Sequence, residues 1–352
     1  VKILGKKLII CILIISFVIQ MAGCGTPNKR YQAQFLELFD TVTTIIGYAP
    51  DKETFSEYAQ MVYDELKRYH ELYDIYNNYD GMNNVKTIND NAGIAPVKVD
   101  QEIIDLLLFA KEGYITTFGE CNVALGAVLK VWHDYREAGS EDPANAELPP
   151  MELLQEKAKH TDIDKLIINE TDSTVYLEDP EMSLDVGAVA KGYATERVAE
   201  YMKQNGCKSI LLSVGGNVRA VGERDGNEKD KLWNVGIQNP DLQSEDKYLL
   251  ITKIADLSLV SSGDYERYYT VDGKEYHHII DKDTLMPADY YTAVSIICED
   301  SGLADLYAKP AYNMPLDEAK KFIESQDGVE AMWVMKDGEL IFSSGFEKYI
   351  KE

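Results

Sequence analysis

Three glycine-bearing segments and a pair of histidines hold the residues whose types and spacing suit chemistry on an anion. Residues 185–193 read DVGAVAKGY, with Asp185 at the start and Lys191 in the first turn of an expected helix. Small side chains let a ligand approach the backbone, a helix N-terminus favours negative charge, and the ammonium adds a full positive one. The spacing fits neither the phosphate-loop pattern nor the dinucleotide fingerprint, and tight helix–strand packing with a surface Lys is the plainer meaning of the segment taken alone. Residues 212–217, LSVGGN, put two glycines after an apolar strand, which a close turn alone would require. Residues 261–267, SSGDYER, precede His277 and His278. Neighbouring side chains on a strand point to opposite faces, so these histidines cannot share one metal. One of them faces the core or a site, and imidazole titrates close enough to neutrality to serve as a general base. Asp305 and Lys309 are four apart on an expected helix and share a face, for which a weak surface ion pair is the plain meaning.

Hydrophobic spacing supplies the elements that position these groups. Residues 34–48 alternate like one strand, and 53–74 carry Phe55, Tyr58, Met61, Val62, Leu66, Tyr69 and Tyr73 at helical spacing. Asp100 stands where it can cap a helix through Ile103, Ile104, Leu107 and Leu108. A third helix is predicted over 126–136, and 138–150 is acidic and contains proline, as surface loops do. Two short strands lie within 166–178, a helix over 188–205 is stopped by Gly206, and 209–214 is a buried strand. Residues 268–280 form a hairpin turning at Asp272-Gly273, and Asp337-Gly338 turns another. No repeat or composition break divides the chain. The pattern is α/β in the mixed α+β sense, a single large domain over 34–352 of about 320 residues.

The 352 residues include 35 Lys plus Arg and 60 Asp plus Glu, for a formal net charge of −25. Such a balance argues against nucleic acid as a partner and against a polybasic membrane surface. At the start, Lys2, Lys6 and Lys7 precede an apolar run over 8–19, then Met21-Ala22-Gly23-Cys24. The run is too short for a spanning helix and reads as a secretory signal. Small residues before the cysteine resemble the lipobox of bacterial lipoproteins. That resemblance implies a signal peptide over 1–23, a lipid on Cys24, a polar tether to residue 33, and a place on the extracytoplasmic face of the cell membrane. Two or three acyl chains anchor durably at about 0.8 kcal/mol per buried CH₂. Beyond Cys11 and Cys24, the chain has Cys121, Cys207 and Cys298, an odd number without metal-site spacing.

Taken together, the segments resemble the ApbE family, the FAD:protein FMN transferases, over nearly the whole body of the chain. Residues 37–41, ELFDT, resemble its opening strand, and Tyr76 its flavin-contacting aromatic. Residues 126–132 resemble its G-P-L-V-x-L-W helix, 185–193 its D-x-G-x-x-A-K-G-Y, and 212–217 its L-x-x-G-G-N. Residues 262–267 match S-G-D-Y-E-R, and 278–281 match H-I-I-D, with Thr284 and Pro287 in register. The resemblance implies a three-layer fold and the transfer of FMN from FAD to a Thr or Ser hydroxyl of an exported or membrane flavoprotein, with Mg²⁺ and release of AMP. It implies FAD contacts from Phe39, Tyr76, Glu120, Cys121, Asn122, Asp185, Lys191 and Ile280. His278 is then the catalytic base. Ala188, by its carbonyl, and Asp305 hold the metal, which gives Asp305 a catalytic role. Three departures stand out: Cys121-Asn122 replaces Phe-Asp, Lys282 replaces the Pro after H-I-I-D, and Lys309-Pro310 stands where a metal-ligating Thr is usual. An ammonium cannot ligate Mg²⁺, and a proline inside a helix costs about 3 kcal/mol. An FAD-binding lipoprotein without transferase activity and an FAD pyrophosphatase are the alternatives.

Overall fold

The computed structural model describes residues 28–225 and 230–351. The signal segment and Cys24 lie outside the described residues. Among the described residues, an eight-stranded sheet runs in the order β1 (Lys29–Phe35), β2 (Thr43–Ala49), β6 (Ile210–Val214), β7 (Asn217–Val221), β10 (Ser258–Gly263), β13 (Tyr291–Cys298), β14 (Glu330–Met335) and β15 (Leu340–Phe342). Every neighbouring pair in it is antiparallel. The period of two sorts its side chains between two cores. Ile210, Leu212, Val214, Ala331 and Trp333 face one layer, whereas Leu211, Met332 and Val334 face the other.

The first layer is helical. Helix α1 (Lys52–Tyr73) begins at Asp51, whose side chain accepts from Thr54 N at 2.9 Å, and buries Phe55, Ala59, Val62 and Leu66 along one stripe. Each fully buried leucine of that kind contributes about 1.5–3 kcal/mol. Helix α6 (Ala190–Gln204) packs on α1, α7 (Ser301–Asn313) on α6, and α8 (Leu316–Glu324) on α7. The other face of the sheet is covered by the ribbon of β8 (Trp233–Gln238) and β9 (Tyr248–Ile254), through Trp233, Val235, Ile237 and Ile254. Helices, sheet and ribbon make the three layers that the resemblance implied. A smaller cluster joins α4 (Gly126–Glu141) to the hairpin of β11 (Tyr268–Val271) and β12 (Lys274–His277) through Trp132, Tyr269 and Val271. No helix among the described residues is long and apolar enough to cross a membrane.

Several boundaries differ from the sequence reading. The single strand expected over 34–48 is two, β1 and β2, parted by a tight loop in which Phe39 and Asp40 both adopt positive φ, 55° and 53°. Residues 29–33, expected as tether, are sheet: β1 pairs with β2 from Lys29 to Phe35. The loop expected over 138–150 starts later, because α4 continues to Glu141 and a short turn follows at Pro143–Asn145. Asp100 precedes its helix, Gln101–Thr116, without a side-chain capping bond; its carboxylate pairs instead with Arg68 at 3.1 Å. Pro310 does not end α7. Ala308, Ala311 and Tyr312 are fully buried there, and Trp333 Nε1 donates to Ala311 O at 2.9 Å, so packing outweighs the lost backbone bond.

Candidate active site

One cleft of about 340 Å³ lies where the loop after β1, the end of α1, α4, the start of α6, the end of β10 and one face of α7 converge. All eleven residues expected from the sequence to bind FAD, act as base or hold metal line it: Phe39, Tyr76, Glu120, Cys121, Asn122, Asp185, Ala188, Lys191, His278, Ile280 and Asp305.

The start of α6 forms the floor. Val189 N and Ala190 N both donate to Val186 O, so the chain turns into the helix without a capping side chain of its own. The cap comes from α7: Asp305 Oδ2 accepts from Gly192 N at 2.9 Å. This close approach needs glycine, since a Cβ on residue 192 would lie 2.4 Å from Ser301 O and 2.5 Å from Asp305 Cβ. Lys191 Nζ donates to Gly215 O at 3.3 Å, and burial lowers its pKa. Asp185 accepts from Gly187 N at 2.8 Å, and burial raises its pKa despite that bond.

The two histidines part at the end of β12, of which His277 is the last residue and His278 the first beyond it. His277 is buried, with Nε2 2.7 Å from Ala288 O and Nδ1 accepting from Ile279 N at 3.2 Å, and its ring meets Tyr312 edge-on. It is a structural residue. His278 lines the cleft with Nδ1 3.3 Å from Arg267 O. A carbonyl only accepts, so Nδ1 carries the proton and Nε2 the lone pair. Burial, then the charges of Lys309 and Arg267, push its pKa down to about 3.

The side walls are aromatic and polar. Tyr76 is 53% exposed and lies against His133 at 5.3 Å between ring centres. Phe39 donates its N–H to His70 Nδ1 at 3.2 Å, which helps hold its left-handed backbone. Glu120 pairs with Lys282 at 3.3 Å through Oε1, while its buried Oε2 has no partner and burial raises its pKa. Asn122 spends its side chain on the protein, donating to Thr161 O and accepting from Ala124 N. Cys121 is buried, with its thiol pushed up to about 12, so it stays protonated and is no nucleophile. Asn217 Nδ2 and Asn313 Oδ1 are also buried in cleft residues without a partner. Unpaired buried polar atoms gathered at one cleft are handles for a polar ligand.

Sequence reasoning missed His133 and Arg136 as cleft residues. Both lie on the α4 face that also presents Leu129 and Trp132, a helical spacing visible in the sequence. Lys309, which stands at the place of the usual metal-ligating Thr, lies in the cleft wall between Asp305 and Asn313, four residues from each along one face of α7.

Comparison with known proteins matches residues 39–333 to the ApbE family. The chain belongs to the ApbE family. A curated relative from Treponema pallidum, an FAD:protein FMN transferase, is 32% identical over 270 residues, which are 73% of this chain and 72% of that one. Another FAD:protein FMN transferase, from Klebsiella pneumoniae, is 29% identical and spans 81% of this chain and 84% of its own. The crystal structure of an ApbE protein from Thermotoga maritima superposes with a TM-score of 0.78 at 25% identity, over 92% of this chain and all of that one. The flavin transferase ApbE from Vibrio cholerae shares the fold, with a TM-score of 0.73 at 19% identity, again over 92% of this chain and all of that one.

Proposed function

We propose that this protein is an FAD:protein FMN transferase whose FAD pyrophosphate lies at the start of α6, between Ala188 and Lys191. The observation that carries this is the convergence in one cleft of a helix N-terminus, a buried ammonium and a neutral imidazole, in a chain of this family. Helix dipole and ammonium neutralise the diphosphate, which is most of what phosphoryl transfer asks of a protein. Tyr76, Phe39 and Ile280 offer apolar surface to the flavin and adenine rings, and the unpaired amide of Asn217 a donor to oxygen. In the transfer, the acceptor hydroxyl oxygen bonds to the FMN phosphorus, the pyrophosphate P–O bond breaks, and AMP leaves. The hydroxyl proton goes to His278 Nε2, the lone pair that the tautomer leaves free.

The donor set at Asp305 does not suit the Mg²⁺ that the resemblance implied there. One carboxylate oxygen already accepts the Gly192 N–H, and the other faces the Lys309 ammonium at 3.8 Å. Among the described residues, no group of three or more His, Cys, Asp or Glu is placed to hold a metal ion. Magnesium demands near-octahedral oxygen ligation, and an ammonium supplies none. No step of the transfer is assigned to a metal.

Export and anchoring through Cys24 belong to the same proposal, supported by the n-region lysines, the apolar run and Met21-Ala22-Gly23-Cys24. The acceptor would then be a flavoprotein with a Thr or Ser on the extracytoplasmic side of the membrane. Separating the nucleotide products tests the chemistry. Transfer predicts AMP formed in step with flavinylated acceptor and none without acceptor. Equal AMP and free FMN without acceptor would instead select hydrolysis.

A further inference from the structure

We infer that Lys309 is a fixed cation of the FAD site: its ammonium, with that of Lys191, holds the FAD pyrophosphate in place of a divalent metal ion, so that FAD binds without one. The inference rests on the flavin-transferase reading and deepens it.

Position is the first argument. Asp305, Lys309 and Asn313 lie on one face of α7, and all three line the cleft. The Lys309 side chain is only 16% exposed, with Nζ 3.8 Å from Asp305 Oδ1. A lysine on a free surface would extend into water; this one is enclosed. The helix around it is pinned on both sides of Pro310. Ala304 N donates to Asp300 O, Tyr312 Oη donates to Tyr291 O at 2.8 Å, and Met314 N donates to Pro310 O. Proline lacks the N–H that would bond Leu306 O, yet the ammonium stays where α7 puts it.

Charge is the second argument. Asp305 is 3% exposed, and both its oxygens are committed, Oδ2 to Gly192 N–H and Oδ1 towards the ammonium. Lys191 and Lys309 both act on this one carboxylate, and each opposes the charge of the other. The charges that act on Lys191 are Asp305 and Glu266 on one side and Lys309 and Arg267 on the other, which leaves its own ammonium in excess at the start of α6. That suits a diphosphate and repels a divalent cation. The effect of Lys309 reaches across the cleft, where it is the largest charge contribution holding His278 neutral.

Chemistry is the third. An ammonium has three donors and no acceptor, so it bonds to phosphate oxygens directly, as a metal would. It carries half the charge of Mg²⁺ and is no Lewis acid, so it binds and orients without polarising the phosphoryl oxygens as strongly.

The test is FAD affinity of the purified full chain by calorimetry, in EDTA and in Mg²⁺, for wild type and for Lys309→Met, Lys309→Arg and Lys309→Thr. Each variant's thermal midpoint is recorded to show that it is folded. Wild type is expected to bind equally, within about twofold, in both buffers. Lys309→Met should weaken binding in EDTA by about tenfold or more, the loss of a charged hydrogen bond, and Lys309→Arg should retain it. Lys309→Thr should be weak in EDTA and recover with Mg²⁺. Riboflavin, which lacks the diphosphate, should bind wild type and Lys309→Met alike. Binding that EDTA abolishes in wild type and Mg²⁺ restores overturns the inference and leaves the flavin reading standing. So does a folded Lys309→Met that binds FAD like wild type. Failure of wild type to bind FAD in either buffer overturns both.

Discussion

Replacing Arg219 should cost this protein more stability than any surface change, and the geometry sets the size. Arg219 is 1% exposed on β7 and meets Glu196 of α6 through two bonds, Nε to Oε2 at 2.8 Å and an Nη to Oε1 at 3.0 Å. Glu196 Oε2 also accepts from Ser301 N at 2.8 Å, the first residue of α7. One buried ion pair therefore ties together the three elements that carry Lys191, Asn217 and Asp305. Arg219→Met removes the two bonds to Glu196 and the one from an Nη to Ala220 O, and leaves the Glu196 carboxylate buried and charged, held by Ser301 N–H alone. Breaking a buried pair on one side costs about 3–5 kcal/mol. At roughly 2 °C per kcal/mol for a chain of this size, the thermal midpoint should fall by about 6–10 °C. Adding Glu196→Gln removes the stranded charge and keeps an oxygen for Ser301 N–H, so the double variant should recover more than half the loss. Circular dichroism melts of wild type, both single variants and the double variant close the cycle. A loss under about 1 kcal/mol for Arg219→Met, or no recovery in the double variant, would mean that the pair does not hold these elements together.

Gly192→Ala should separate α6 from α7, because the new methyl meets Ser301 O and Asp305 Cβ; FAD affinity should fall tenfold or more by calorimetry, together with a loss of about 1–3 kcal/mol in stability. His278→Ala should remove most turnover and keep FAD binding, whereas His277→Ala, which strips a buried imidazole from Ala288 O, should lower the melting point and affect activity only through folding. With its pKa pushed from 6.5 down to about 3, His278 stays neutral, so the acid limb that kcat/KM owes to it should lie well below pH 5, and a limb near pH 6.5 absent from His278→Ala would contradict this. The same shift has the unfolded chain binding a proton that the folded one refuses between about pH 6.5 and 3, so that part of the stability falls as pH drops through the window. Cys24→Ala should leave the protein unprocessed or free of membranes on fractionation, and wild-type behaviour of that variant would overturn the lipoprotein proposal.

The cleft was legible in the sequence because its floor is built from short contiguous segments. Asp185, Lys191, His278 and Asp305 each sit in a string whose residue types are demanded locally, by a helix start, a strand end or one helical face. What escaped depends on distant partners. Phe39 and Asp40 adopt positive φ without any glycine to announce it, because His70, 31 residues on, takes the Phe39 N–H. Pro310 reads as a helix breaker until the burial of its neighbours against β13 and β14 is known. The Arg219–Glu196 pair joins a strand to a helix 23 residues earlier, which no periodicity encodes. The β8–β9 ribbon that covers the far face of the sheet lacks a turn signal of the Asp-Gly kind, whereas the hairpin at Asp272-Gly273 has one, with φ of 50° and 79°.

Movement of FMN from FAD onto a hydroxyl of another protein is read by intact-mass spectrometry of an acceptor flavoprotein domain after incubation with the enzyme and FAD. A gain of one FMN mass on the acceptor is expected, lost when its Thr or Ser is replaced by Val or Ala, and lost when His278→Ala enzyme is used. An acceptor of unchanged mass beside enzyme that demonstrably binds FAD would contradict this transfer.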